Sequence, residues 1–280
     1  MRNHLKLRAV EKCIYCGATD SLSKEHIVPY GFNGTRALLR ASCPDCASIT
    51  SSFEREILRV TWGAVRAILN IKSRRKKNRH TLLPMKMERN GEAFIQDVPI
   101  DDYIPLLPVL YVGLPGYLRD GRRYQVGDGS RNATIVGKAV IKSDAHVDEL
   151  LKRYNATKIN IEYSISPVDF GRLLAKIAYC LAVDTFGLDG IVDTYVLPAI
   201  LGQSNDIWHF VGCDYQYPYV NHVPQKRDAF IWVDLDIIKG DILVRLRLLP
   251  QSDSPVYVIV VGRASDGLQG LFQSIGRQLS

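Results

Sequence analysis

The sequence has no run of 18 consecutive apolar residues, which excludes an ordinary membrane-spanning helix. Its opening, Met1-Arg-Asn-His-Leu-Lys-Leu-Arg8, lacks an apolar stretch of signal-peptide length, so the expected location is the cytoplasm. There is no internal repeat, no phosphate-binding P-loop and no glycine pattern of a dinucleotide-binding turn. Cysteine is scarce, with six in 280 residues, and four of them fall in two Cys-x-x-Cys pairs. In a chain without secretory features, such pairs point to a metal before a disulfide. What is abundant is apolar residues, at 46%, against 23% charged, a balance that supports a buried core and argues against disorder.

The net charge of +7 is unevenly placed. Residues 1–90 hold 18 Lys and Arg against 7 Asp and Glu, whereas residues 91–280 hold 18 against 22. The positive field therefore belongs to the first third, and nucleic acid is its natural partner. We expect two units: a module over 1–90 and a larger α+β domain over 91–280 with a mainly antiparallel sheet.

Cys13-Ile-Tyr-Cys16 and Cys43-Pro-Asp-Cys46 are separated by 26 residues. Two thiolates on each tight knuckle complete a tetrahedral zinc shell, and closed all-cysteine sites are structural. Cys180 and Cys213 sit in apolar segments and read as core thiols. A helix is expected from Ala47 to about residue 71, with Phe53, Ile57, Val60, Ala64, Ile68 and Ile71 at three- and four-residue steps, although Gly63 weakens it. Residues 72–80 follow, six of the nine basic, and read as an exposed arm in which Arg74, Arg75, Lys76 and Lys77 would contact phosphates.

Further on, strands are expected over 107–112, 133–141, 157–163, 207–211, 229–237, 241–249 and 256–261, the last two forming an antiparallel hairpin. A short helix is expected over 145–154. Ser166 and Pro167 read as the N-cap and first turn of a helix closed by Gly187, with Phe170, Leu174, Ile177 and Leu181 on one face.

Between the two knuckles stands Lys24-Glu25-His26-Ile27-Val28-Pro29. This segment, bracketed by cysteine pairs, resembles the HNH (His-Me finger, ββα-metal) endonucleases. It is similar to a bacterial branch with a glutamate-histidine pair, a Gly-rich loop and a Phe-Glu step, here Phe53-Glu54. The resemblance covers residues 10–60 and implies two short strands and a helix around one divalent ion, Mg²⁺ or Mn²⁺. It implies that His26 is the general base activating water and that Glu25 is a ligand of the catalytic ion. The chemistry needs both a neutral imidazole and a cation to stabilise charge on the phosphate.

The sequence departs from the family in two places. Leu38 occupies the commonest spacing of the asparagine that orients the histidine, leaving Asn33 or Thr35 as substitutes. Ala47 stands where the last ligand usually follows the final cysteine, and Glu54, seven residues on, is the residue proposed to fill that gap. The implied activity is phosphodiester hydrolysis, on DNA more than RNA. Two other readings remain open: a zinc-containing module that grips nucleic acid without cutting, and a defence-type effector whose C-terminal domain senses a ligand or protein partner.

Overall fold

A computed structural model describes residues 9–69, 71, 81–120, 133–139, 143–216, 231–250 and 254–271. The elements run in the order β1 (Ser23–His26), β2 (Ala37–Ser42), α1 (Pro44–Arg55), α2 (Gly63–Ile68), β3 (Leu82–Arg89), β4 (Glu92–Pro99), β5 (Leu106–Tyr111), α3 (Gly116–Asp120), β6 (Thr134–Ala139), α4 (Asp144–Arg153) and β7 (Lys158–Asn160). Then come α5 (Pro167–Phe186), β8 (Ile191–Thr194), α6 (Leu197–Ile200), α7 (Ile207–Phe210), β9 (Val211–Cys213), β10 (Ile231–Ile238), β11 (Asp241–Leu248) and β12 (Tyr257–Ala264). The protein mixes helix and strand, and the strand pairs of its sheets are antiparallel. Among the described residues, no helix is long and apolar enough to cross a membrane.

The largest sheet has the order β10-β11-β12-β8, with β9 also pairing β12. Its backbone turns are local: Lys239 and Gly240 both take positive φ between β10 and β11, the two-residue turn that suits the twist of a hairpin. Asn90-Gly91 does the same between β3 and β4. The hairpin of β3 and β4 was not among the expected strands, although Asn-Gly is its strongest local signal. With β7 and α4 it surrounds a small separate core of Met85, Met87, Val98, Ile104 and Leu150.

α5 is the centre of the molecule. The Ser166 hydroxyl accepts from the Asp169 backbone N–H at 3.3 Å, Pro167 opens the first turn, and Gly187 at φ 78° ends the helix. This matches the expected start and stop. The expected single apolar face does not hold, because residues 173–180 are buried without interruption. A helix buried all round must be covered on opposite sides. Here α1 of the cysteine-bearing segment and β11 and β12 of the largest sheet all pack against it.

A row of aromatic rings shows how closely those layers are joined. Phe32 meets Trp62 at 5.1 Å, Trp62 meets Phe170 at 6.2 Å, and Phe170 meets Tyr257 of β12 at 5.6 Å. Trp62 Nε1 also donates to the Pro108 carbonyl at 3.1 Å. The same hydrophobic core therefore includes Cys13, Phe53 and Trp62 together with Ile177, Val244 and Ile259.

Two expected elements change type. The helix from Ala47 is broken: α1 passes into a π-helical turn over Glu56–Thr61 before α2 begins. The wider turn rotates the buried face, so Thr61, Trp62 and Val65 go inward while Val60 is 54% exposed. The expected strand at 207–211 is instead α7 followed by β9. Ile207 packs so closely on α5 that a Cβ added at Gly171 would lie 2.9 Å from it, and this packing outweighs the strand-like run of apolar residues. Because one core spans these layers, truncating Phe170 to alanine should cost about 3–5 kcal/mol. Loss of helix by circular dichroism and release of zinc to a chelator should then share one denaturant midpoint, and two separated midpoints would contradict the shared core.

Candidate zinc centre and the buried ion cluster

The first knuckle is a tight turn in which Gly17, at φ 82°, donates its N–H to the Cys13 carbonyl at 2.9 Å. The second is the first turn of α1, with Cys43 as N-cap and Pro44 following it. Ile14 N–H donates to Ala41 O at 2.9 Å, which lays the first knuckle beside β2 and brings the pairs together. The four thiol sulfurs lie within 4.8 Å of one another. Cys16 Sγ and Cys43 Sγ are 3.6 Å apart, close to the roughly 3.8 Å edge of a tetrahedron with Zn–S bonds of about 2.3 Å. Cys13, Cys43 and Cys46 are buried and Cys16 is exposed.

Burial pushes the Cys13 thiol up, but backbone N–H groups around it overrule that and bring it down to about 7. The start of α1 offers dipole charge at the other knuckle, where burial nonetheless pushes the Cys46 thiol up. These four residues fit a structural metal ion such as zinc. Cys180 and Cys213 stand apart as core thiols, pushed by burial up to about 12 and about 11.

Glu25 and Glu54 are brought together, on a partner that lies far outside the cysteine-bearing segment. Lys176 of α5 sets its Nζ 2.7 Å from Glu25 Oε1 and 2.9 Å from Glu54 Oε1. It also donates to the His26 backbone carbonyl. The lysine side chain is 0% exposed, against 9% for Glu25 and 21% for Glu54. Burial alone would lower the lysine pKa, but the carboxylates of Glu54 and Glu25 outweigh it and hold the ammonium well above its ordinary value. A stranded ammonium or carboxylate in this interior would be costly, so each of the three requires the others. Sequence reasoning missed Lys176, yet a signal for it did exist: it is the one charged residue within the apolar run 173–183 of α5.

β1 alternates as a strand does, with Glu25 buried and His26 half-buried. The carboxylate therefore turns toward α5 while the imidazole takes the other face, its ring 6.1 Å from that of Tyr30. Leu38 pairs with Glu25 across the two strands and is fully buried, so the core occupies the position expected for an orienting asparagine. Asn33 ends a short 3₁₀ turn in the left-handed region, Thr35 is exposed, and Ala47 lies half-buried on α1. The loop between these residues needs Gly34, where any Cβ would collide with the Val28 carbonyl.

The catalytic ion implied by the resemblance does not fit this arrangement. The shared focus of Glu25 and Glu54 already holds a positive charge, and a divalent cation placed there would meet the ammonium. Among the described residues, the four cysteines are the one group of three or more histidine, cysteine or acidic side chains that could hold a metal. Arg74, Arg75, Lys76 and Lys77 lie outside the described residues. Within them, part of the excess positive charge is engaged internally: Arg36 pairs with Asp184 at 2.6 Å, Arg40 pairs with Glu11, and Arg66 donates to the carbonyls of Gly31 and Leu58.

Elemental analysis should find about one zinc per chain, and Cys43→Ser should abolish it. Lys176→Met should destabilise the protein by about 3–5 kcal/mol in urea unfolding, because the buried Glu25 and the half-buried Glu54 lose their counter-charge. Adding Glu25→Gln and Glu54→Gln to that variant should recover much of the loss, and no recovery would mean that Lys176 acts by packing alone. No family model, curated protein or solved structure matches this chain.

Proposed function

We propose that the N-terminal segment is a zinc-stapled nucleic-acid-binding module, a ββα finger in which Lys176 takes the position of a catalytic metal ion. The observation that supports this reading is the ammonium 2.7 and 2.9 Å from Glu25 and Glu54. Glu25 is the carboxylate that the HNH resemblance would assign to Mg²⁺ or Mn²⁺, and Glu54 is the one proposed to complete its shell. The cysteine pairs would keep β1, β2 and α1 together, while the basic arm at 74–77 and the surrounding positive charge would attract the phosphate backbone without reading sequence. DNA is preferred over RNA on the resemblance alone.

One observation favours a second reading, hydrolysis with His26 as base. His26 is half-buried at the end of β1, with its ring Nδ1 enclosed, and alternation along the strand puts it on the face opposite the ion cluster. A base must reach solvent and substrate, and the half-buried His26 is more open than the buried Glu25. Metal-dependent cutting would then require the ammonium to leave the two carboxylates, or a metal to bind elsewhere.

The same preparation tests both. Fluorescence anisotropy with duplex DNA should show binding that weakens with salt. Neutralising Arg74, Arg75, Lys76 and Lys77 should reduce the log–log slope by about 0.9 for each phosphate that these side chains neutralise. Incubation of the zinc-loaded protein with DNA and Mg²⁺ or Mn²⁺ should give no cleavage above that of His26→Ala. Metal-dependent cleavage that His26→Ala lowers a hundredfold or so would replace the binding reading with the hydrolase.

A further inference from the structure

An open pocket of about 540 Å³ is lined by residues between Tyr117 and Arg263, none of them from the cysteine-bearing segment. That size is within the usual range for a small-molecule site. Tyr117 of α3, Tyr195 after β8, and Phe210 of α7 line it together. Their ring centroids are 5.4, 5.6 and 6.0 Å apart, with interplanar angles of 27–41°. Three separate elements thus combine their rings into one aromatic wall.

The charge around this wall is acidic. Asp193 and Asp206 line the cavity, and Asp241 lies buried behind the phenols, accepting from Tyr117 Oη at 2.8 Å and from Tyr195 Oη at 3.2 Å. The opposing charge is Arg263, also in the lining. It sits on β12 directly across from Asp241 of β11 on one side and Asp193 of β8 on the other. Opposite charges in such a cross-strand row offset each other; the lining Asp193 and Asp206, with the buried Asp241 behind the phenols, outnumber Arg263, and His209 also lines the cavity.

From this combination we infer that the cavity binds a small organic cation, a protonated or methylated amine, with its positive group against the faces of Tyr117, Tyr195 and Phe210. Electron-rich ring faces attract cations, and the attraction grows when water is excluded. Asp241 strengthens it, because a phenol donating to a carboxylate is polarised toward greater electron density on the ring. Burial pushes the Tyr195 phenol up, and Tyr117 and Asp241 add to the shift, so the hydroxyl keeps the proton it donates. Asp193 and Asp206 supply long-range attraction at the cavity walls. A nucleotide or other organic anion suits the aromatic wall but not the surplus carboxylates.

Calorimetric titration of the full chain with choline and tetramethylammonium tests this directly. The control is 3,3-dimethylbutan-1-ol, the uncharged isostere of choline. One choline per chain should bind, with the isostere weaker by about tenfold or more. Phe210→Leu and, separately, the exposed-site variant Asp193→Asn should each weaken choline several-fold while near-ultraviolet circular dichroism shows the fold intact. Equal binding of choline and its isostere would overturn the proposal, since the cavity would then be reading shape and apolarity alone. Binding of AMP in place of choline, or no binding of either cation at millimolar concentration to folded protein, would overturn it as well.

Discussion

An ammonium removed from water must find negative charge, and Lys176 finds it on two elements that are distant in sequence. Glu25 comes from a strand of the cysteine-bearing segment and Glu54 from the end of its helix, while the lysine belongs to α5. The arrangement is self-enforcing. If the segment lifts from α5, the desolvation cost of all three groups is no longer offset at the interface as built. The apolar layers around the cluster therefore have little freedom to slide, and the aromatic row from Phe32 to Tyr257 packs in a single register.

The cysteine site and the ion cluster divide the work of holding β1, β2 and α1. Four sulfurs within 4.8 Å secure the two knuckles to each other at one end. The Lys176 cluster secures the strand end and the helix end to the body of the protein. Tyr179 donating to the Ile14 carbonyl, and the contact of Tyr15 with Cys180, join the first knuckle to the same face of α5. The cysteine-bearing segment is thus built into the core and is not appended to it.

This has a chemical consequence. A pair of carboxylates converging on one point is what a metal-dependent hydrolase needs, and here the convergence serves cohesion between layers. His26 is half-buried beside this cluster, and its backbone carbonyl is held by the same ammonium. The aromatic wall of Tyr117, Tyr195 and Phe210 shows the contrasting case away from the cysteine-bearing segment, where one buried carboxylate orients two phenols around open space. In the first cluster the cation belongs to the chain; in the second the cavity leaves room for one from outside.

Local chemistry made several features legible. Paired cysteines need no tertiary context to announce a metal site, Ser166-Pro167 and Gly187 bounded α5, and two strand-like apolar runs joined by a segment with Pro250 and Pro255 marked the hairpin of β11 and β12. Asn90-Gly91 would have revealed β3 and β4 by the same logic. The sequence by itself determined these because capping, turn geometry and thiolate chemistry act over a few residues. Only the tertiary structure decided which way Glu25 and Glu54 would turn, because their partner lies more than a hundred residues away and a metal and an ammonium place the same demand on a carboxylate. It likewise decided that Leu38 is a core residue, that 207–210 coils against Gly171, and that the face after Ile57 rotates, since each outcome depends on what packs against the segment from elsewhere in the chain.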